Sequence, residues 1–336
     1  MRYFSPYTIL IIIALILPIV DGVTGIRLAE ECRAVLIYAI LGLGLNIITG
    51  LTGLLNLGSA AFMAIGAYSY AILSAPIYPF QIGFWGGVIG AVCFSAVAGI
   101  LLGLPTLRLR GDYLAIVTLG FGEIVQDTLK NLETVTKGTQ GINPLPGPSL
   151  LGWEFPTTRY EPMYFLLLTI VAFLVIGLEN IKRTRVGRSW VAVRDDEIAA
   201  SCMAINPIKV KLQAFAFSAA LCGLGGALWA SYLNASGEPG NYDFQVSVMV
   251  LCIVIIGGLG STIGVLLGAL LIVGFNSILL VKLTALLPAT SGSGGTIMNP
   301  TNWKFFLFGL ALVLTMRYCP NGLFPEKRRS SKNVSR

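Results

Sequence analysis

Residues 83–104 read Gly-Phe-Trp-Gly-Gly-Val-Ile-Gly-Ala-Val-Cys-Phe-Ser-Ala-Val-Ala-Gly-Ile-Leu-Leu-Gly-Leu and contain no charged side chain. An apolar run of about 20 residues is long enough to cross the hydrocarbon core of a bilayer as one helix. Comparable runs recur along nearly the whole chain, which excludes a soluble domain with a single anchor. The sequence therefore predicts an all-α, polytopic membrane protein.

Ten crossings are predicted, with eight or nine as alternatives if a weak segment is re-entrant. The segments 57–73 and 113–129 are the weak ones, because they carry polar groups and many small residues. The first segment resembles a signal peptide, but no A-x-A cleavage site follows its apolar run, so we predict a span. The ten segments are 7–20, 34–50, 57–73, 83–104, 113–129, 164–178, 215–233, 246–258, 265–283 and 305–316.

The composition agrees with a membrane protein and excludes several kinds of catalytic and metal site. Of 336 residues, 55% are hydrophobic and 12% are charged, whereas soluble domains contain about 25% charged residues. Histidine is absent, so no histidine-based catalysis, proton relay or metal site is possible. The six cysteines form no CxxC pair, so no disulfide framework is expected. We predict no catalytic residues, no cofactor and no metal.

The positions of Lys and Arg predict the orientation, since cytoplasmic loops are enriched in both. If the N-terminus is cytoplasmic and the chain crosses ten times, both termini are cytoplasmic. The loop 179–211, the basic turn at Arg108 and Arg110, and the tail 317–336 then also lie in the cytoplasm. The net charge of +7 then needs no nucleic-acid partner, because anionic lipid headgroups attract such surfaces. The basic residues of the loop are Lys182, Arg183, Arg185, Arg188, Arg194, Lys209 and Lys211.

The loop 179–211 contains a predicted amphipathic helix. Residues 190–203 lack Pro and Gly, and Val191, Ile198, Cys202 and Ile205 fall near one face at helical spacing. Asn206-Pro207 ends the helix, because the residue before Pro disfavours the α region. Such a helix either docks in a groove on another protein or lies on the membrane surface.

Glycine-rich segments have two readings, close helix packing or a discontinuous helix that lines a pathway. A half-helix N-terminus at membrane depth can bind a substrate carboxylate. Glu123 is the one plausible buried acid in the predicted spans. The pathway candidates are Asn46, Asn56, Ser59, Glu123, Gly257, Gly258 and Gly260.

Four stretches together resemble the LivM-type permeases of branched-chain amino-acid ABC transporters, and the resemblance extends from about Leu41 to Pro325. The first is Leu104-Pro-Thr-Leu-Arg-Leu-Arg-Gly-Asp-Tyr113, which continues as Leu-Ala-Ile-Val-Thr-Leu-Gly-Phe-Gly-Glu123. The others are Gly187-Arg-Ser-Trp-Val-Ala-Val-Arg-Asp-Asp-Glu-Ile-Ala-Ala200, Ile256-Gly-Gly-Leu-Gly-Ser261 and Pro320-Asn-Gly-Leu-Phe-Pro325.

The resemblance implies a single permease domain over 1–336, with a cytoplasmic coupling loop at 181–208 and the basic tail at 317–336. It implies two cytoplasmic ATPase subunits, a second LivH-type permease, a soluble substrate-binding protein and an amino-acid substrate, in the plasma (bacterial inner) membrane. The segment 195–203 resembles the coupling helix that contacts the ATPase. The implied coupling residues are Arg194, Asp195, Asp196, Glu197, Ile198, Ala199 and Ala200.

Three positions depart from the family pattern. The family often has His where this chain has Ser59, and it has Gly where this chain has Ala204 and Lys137. We expect Ala204 to let the coupling helix run straighter into Asn206, and Lys137 to alter contacts with the binding protein.

Two rival functions remain open at this point. Urea or short-amide permeases are close relatives of the same class. An ion-coupled secondary transporter needs buried charged side chains in its spans, and Glu123 is the one candidate for such a side chain in this sequence.

Overall fold

The computed structural model describes residues 28–106, 111–150, 161–275 and 304–319, with residues 18, 109, 153–154, 277 and 322–324. The predicted first span at 7–20, with its signal-peptide alternative, lies outside the described residues, apart from residue 18. So does most of the basic tail at 317–336, and the predicted ninth span at 265–283 is described as far as residue 275 and at residue 277.

The described chain is helical, apart from one two-stranded antiparallel ladder of β1 (Ser149–Leu150) and β2 (Trp153–Glu154). A π-helix at Asn46–Leu51 extends the first helix, and short 3-10 turns lie at Gly138–Gln140 and Pro239–Asn241. The α-helices are α1 (Leu28–Leu45), α2 (Ser59–Ser74), α3 (Phe84–Thr106), α4 (Asp112–Asn131), α5 (Glu133–Thr136), α6 (Glu161–Arg183), α7 (Arg185–Asp195), α8 (Glu197–Cys202), α9 (Pro207–Leu233), α10 (Phe244–Gly257), α11 (Thr262–Gly274) and α12 (Lys304–Tyr318).

Helix α9 lies at the centre, against α1, α2 and α3, because its glycines let neighbouring backbones approach. A Cβ added at Gly226 would lie 1.9 Å from the carbonyl oxygen of Met63, and one at Gly66 would lie 2.2 Å from that of Gly223. Side chains larger than hydrogen do not fit at such distances. Of the two readings of glycine-rich segments, close helix packing therefore applies at Gly226 on α9 and at Gly66 on α2.

Among the described residues, five helical segments are long and apolar enough to cross a membrane. This confirms the all-α, polytopic class, whereas the number of ten crossings stays a prediction. The five segments are Glu30–Leu51, Phe84–Thr106, Glu161–Arg183, Pro207–Leu233 and Pro239–Gly257.

The two ends of the helix bundle differ in what they carry. At the distal end, the hydroxyl of Tyr68 donates to the carbonyl of Gly237 at 3.0 Å, and the amide of Gln126 donates to that of Pro239 at 3.1 Å. The opposite end carries α7 and α8, and we call it the coupling end.

The helix predicted over 190–203 is wrong as one continuous element, because the chain breaks at Asp196. That residue is extended, with φ −159° and ψ 114°. Its Oδ1 accepts hydrogen bonds from the backbone N–H groups of Ile198 at 2.8 Å and Ala199 at 3.0 Å. Asp196 is thus the N-cap of α8, and an aspartate is among the best residues for that position.

The expectation that Ala204 straightens the chain into Asn206 is also wrong. Ala204 has φ +58°, the left-handed conformation that ends helices in a Schellman motif. The N–H of Ile205 donates to the carbonyl of Ala200 at 3.1 Å, and that of Ala204 donates to Ser201 at 3.2 Å. The turn therefore keeps the geometry suited to glycine although an alanine occupies it.

We predict that Ala204→Gly stabilises α8, because the left-handed conformation costs an L-residue about 1–2 kcal/mol. Hydrogen exchange of the amides in 197–205 should slow. The same change at Ala199, which is exposed inside α8, should accelerate exchange, since glycine in a helix costs up to about 1 kcal/mol. Equal effects of the two changes would contradict the strain that we assign to Ala204.

Candidate functional site

Arg194 connects α7 to the end of the first described span. Its guanidinium Nη1 donates a hydrogen bond to the carbonyl oxygen of Gly50, in the π-helix. The aliphatic part of the side chain lies over Gly53, where an added Cβ would meet the Arg194 Cγ at 3.0 Å. A displacement of α7 would therefore act directly on the π-helix.

An ion pair connects α8 to α9. The Nζ of Lys211 lies 2.8 Å from Oε1 of Glu197, and the Lys211 side chain is only 6% exposed. An ammonium so deeply buried needs a charged partner, because burial of an unpaired charge is costly. Two contacts, at Arg194 and at Glu197, thus join the α7–α8 segment to the spans.

The outer surface of α8 is apolar and uncovered. Ile198 is 71% exposed and Met203 is 78% exposed, while Ala200 on the inner side is buried. Beside this surface, α7 forms an open groove. Its lining residues are Arg185, Val186, Arg188, Ser189, Ala192 and Ile205.

The turn between α10 and α11 meets the π-helix at the coupling end. Oδ1 of Asn46 accepts a hydrogen bond from the N–H of Gly260 at 2.8 Å. Gly258 and Gly260 have φ +124° and +84°, so the turn needs residues without a Cβ. The structure therefore brings Asn46, Gly258 and Gly260 together, as neighbours of Gly257.

The same turn is closed by residues 322–324. The N–H groups of Leu323 and Phe324 donate to the carbonyls of Ile256 at 2.9 Å and Gly257 at 3.1 Å. These carbonyls belong to the last turn of α10 and would otherwise lack an intrahelical partner. This contact joins two of the four stretches that carry the family resemblance, Ile256–Ser261 and Pro320–Pro325.

A polar cluster at the end of α6 was missed by the sequence reasoning. The Nζ of Lys182 donates to the carbonyl of Gly260 at 2.7 Å and to Oγ1 of Thr262 at 2.8 Å, and it lies 3.1 Å from Oε1 of Glu179. Thr262 in turn donates to Glu179 at 2.6 Å. The Glu-to-Lys spacing of three residues on one helix was the available signal.

Helix α2 begins inside the bundle, between the two ends. The non-helical stretch 52–58 leads to it, and the N–H of Leu57 donates to Oγ1 of Thr118 on α4 at 3.0 Å. The N–H of Ala60 donates to Oγ of Ser247 on α10 at 3.0 Å. Side chains of two neighbouring helices thus satisfy backbone groups where the chain is not yet helical or is just beginning α2.

Two buried polar groups at the start of α2 have no partner among the described residues. They are Nδ2 of Asn56 and Oγ of Ser59, and both residues are 1% exposed. Oδ1 of Asn56 is occupied, since it accepts from the N–H of Gly58 at 2.9 Å. Buried polar groups without a partner are rare in native proteins, so each of these two needs an explanation.

Glu123 is not buried within this chain, contrary to the prediction. It lies on the exposed face of α4, apart from both the Asn46–Gly260 contact and the start of α2. Among the described residues it forms no hydrogen bond or salt bridge. The candidates predicted for one pathway therefore fall into three separate places.

Lys137 lies at the distal end of the bundle, where it ends α5 with φ +61°. The left-handed conformation is again one that glycine adopts without strain. Its predicted contact with a binding protein is untested.

The chain matches the family model described as "Branched-chain amino acid transport system / permease component" over residues 29–316. It is 38% identical over 318 residues to the high-affinity branched-chain amino acid transport system permease protein LivM of Escherichia coli (strain K12), covering 88% of this chain and 70% of that protein. The probable LivM protein of Methanocaldococcus jannaschii is 26% identical over 87% of this chain and 91% of its own length.

A further relative is the LivH permease protein of Escherichia coli (strain K12), which is 23% identical over 70% of this chain and 79% of its own length. No solved structure matches the chain significantly. The family match and the LivM identity cover most of the chain and confirm the resemblance of the four sequence stretches. The chain therefore belongs to the permease-component family of branched-chain amino acid transport systems.

Proposed function

We propose that this chain is one of two permease subunits of an ATP-binding-cassette importer that moves leucine, isoleucine and valine across the bacterial inner membrane. A LivH-type permease is its partner, two cytoplasmic ATPases supply energy, and a soluble binding protein delivers the substrate. The observation that carries the proposal is α8, a short helix that exposes Ile198 and Met203 while Glu197 holds it to a span.

The proposed topology has ten crossings in one domain over 1–336, with both termini in the cytoplasm. The five long segments, helices α2, α4, α11 and α12, and the segment 7–20 supply these crossings. The coupling end faces the cytoplasm because the coupling loop 181–208 and the basic tail 317–336 carry 11 of the 23 Lys and Arg residues.

The proposed mechanism needs no covalent chemistry in this chain. Closure of the ATPase dimer displaces α8, and Arg194 passes that displacement to the carbonyl of Gly50. The π-helix then moves against the α10–α11 turn through the Asn46–Gly260 contact. Since Lys182 holds the same turn from α6, three spans respond together, and the pathway opens inward.

The start of α2 is the proposed place on the pathway for the substrate carboxylate. The positive end of the helix dipole and the unpartnered donors of Asn56 and Ser59 favour an anion there. Rocking of the spans exposes these groups, which the conformation described here keeps buried.

Uptake of labelled leucine, valine and urea by proteoliposomes with the complete complex tests the function. We expect ATP-dependent uptake of leucine and valine, and no ATP hydrolysis by the purified permease alone. Uptake of urea instead would mean that the chain is a urea permease of the same architecture. Transport without ATP by this chain alone would mean an ion-coupled secondary transporter.

We predict that Ile198→Asp leaves the permease folded but prevents it from co-purifying with the ATPases, and abolishes uptake. The side chain is exposed, so a charge costs the monomer little, whereas it is unfavourable in an apolar contact. Ile198→Met preserves the apolar surface and should retain both properties. ATPases that co-purify with the Asp variant at the normal ratio would contradict the assignment of α8.

We predict that Asn56→Asp lowers the rate of leucine uptake at least about tenfold in an assembled complex, because a hydrogen bond to a charged group contributes about 1.5–3 kcal/mol. The change keeps the oxygen that caps Gly58 and replaces the Nδ2 donor by an acceptor. The same change at Asn131, exposed at the end of α4, is the control. Normal uptake by the Asn56 variant would exclude the start of α2 as the carboxylate site.

A further inference from the structure

The groove beside α7 carries two arginines that have no counterion in the described part of the chain. Arg185 and Arg188 are exposed, and among the described residues neither side chain forms a hydrogen bond or an ion pair. By contrast, Lys182 and Lys211 lie 3.1 Å and 2.8 Å from carboxylate oxygens. The groove therefore presents two positive charges that are available to an anion.

The lining of the groove suits an anion that carries apolar groups. Arg185 and Arg188 are three residues apart on α7, so their Cβ atoms lie about 5–6 Å apart, and both guanidinium groups can bind one phosphate. Val186, Ala192 and Ile205 supply the apolar part of the lining, and the groove has a volume of about 550 Å³. A free inorganic anion would leave this apolar part uncovered.

The groove lies at the level of the membrane surface, because the start of α7 is packed on the end of α6. A Cβ added at Gly187 would touch the carbonyl oxygen of Ile181 and lie 2.6 Å from Cα of Lys182. Helix α6 has 23 residues, so it is about 35 Å long, and a hydrocarbon core is about 30 Å thick. The last turn of α6 and the groove that follows it are therefore in the headgroup region.

An exposed apolar stripe of α6 leads to the same place. Phe173 is 76% exposed and Ile176 is 55% exposed, and the exposed residues Asn180 and Arg183 continue the stripe. Spacings of three and four residues keep all four on one face of the helix. The stripe thus runs from side chains suited to acyl chains to side chains suited to a headgroup, and it ends two residues before Arg185.

A phospholipid accounts for both the arginines and the stripe, whereas a segment of a soluble partner accounts only for the arginines. Phe173 precedes Arg183 by ten residues, or about 15 Å along the helix axis, a depth at which the neighbours are lipid or another span. The headgroup needs a net negative charge, because a zwitterionic headgroup brings its own cation beside the arginines. Basic pockets at the ends of transmembrane helices bind the headgroups of anionic lipids.

We propose that α7 and the end of α6 form a binding site for one anionic glycerophospholipid. Arg185 and Arg188 bind its phosphate, Val186 and Ile205 contact its glycerol region, and an acyl chain lies along Phe173. The bound lipid joins a span to the α7–α8 segment. The site goes beyond the proposed function, because it does not depend on which substrate is transported.

Photo-crosslinking tests the site in the unaltered protein. The full-length chain, with the subunits that co-purify with it, is placed in phosphatidylcholine liposomes with a trace of phosphatidylglycerol that carries a diazirine in its headgroup. Mass spectrometry should find the modified peptides concentrated at 183–192, and unlabelled phosphatidylglycerol, but not added phosphatidylcholine, should compete. Modification spread evenly over the basic ends of the spans would overturn the proposal.

Two double variants that remove the same charge separate a specific site from general attraction. Arg185→Gln with Arg188→Gln should weaken the binding of a short-chain phosphatidylglycerol, titrated in detergent, at least about tenfold, because hydrogen bonds between charged groups are lost. Lys209→Gln with Arg317→Gln removes two exposed charges from the same end of the bundle and should leave this binding unchanged. Equal weakening in the two double variants would contradict a site at α7.

An acidic segment of an ATPase is the other possible occupant of the groove, and co-purification distinguishes it from lipid. If lipid occupies the groove, the variant that lacks Arg185 and Arg188 should lose phosphatidylglycerol binding and still co-purify with the ATPases at the normal ratio. A variant that loses the ATPases but binds phosphatidylglycerol normally would assign the groove to the ATPase and overturn the proposal.

Discussion

The structure depends on one constraint, that a backbone leaving helical geometry inside a membrane must have its hydrogen bonds satisfied by protein. The chain leaves helical geometry between the π-helix and α2. On the α2 side of this break, Thr118 and Ser247 accept hydrogen bonds from the backbone. On the other side, Oδ1 of Asn46 accepts a hydrogen bond from the N–H of Gly260. Four spans are therefore held together around one irregular stretch.

In the proposed mechanism, that arrangement connects the ATPases to the membrane spans. Arg194 and Lys211 are cations whose partners are a backbone carbonyl of the π-helix and the carboxylate of Glu197. Both contacts start in or beside the α7–α8 segment and end on a span. Because the buried ammonium of Lys211 is costly to separate from its partner, the ion pair with Glu197 holds α8 against α9.

Backbone conformation at two family departures shows how tertiary context overrides local preference. Ala204 and Lys137 both adopt positive φ, where the family resemblance implies glycine. At Ala204, the hydrogen bonds of Ile205 and of Ala204 itself hold the turn. The start of α9 after Asn206 leaves little freedom to relax, so the chain accepts the local cost instead of extending α8.

The sequence alone determined the membrane class and the five long apolar segments, because the length of an apolar run is a local property of the chain. Its four characteristic stretches also determined the family. It also pointed to Asn46, Asn56 and the glycines at 257–260 through polarity and composition. Only the tertiary structure decided that Asp196 breaks the loop helix, that Lys182 joins α6 to the α10–α11 turn, and that Glu123 faces outward. Those outcomes depend on which helices become neighbours, and residues far apart in the chain carry no local signal of their contact.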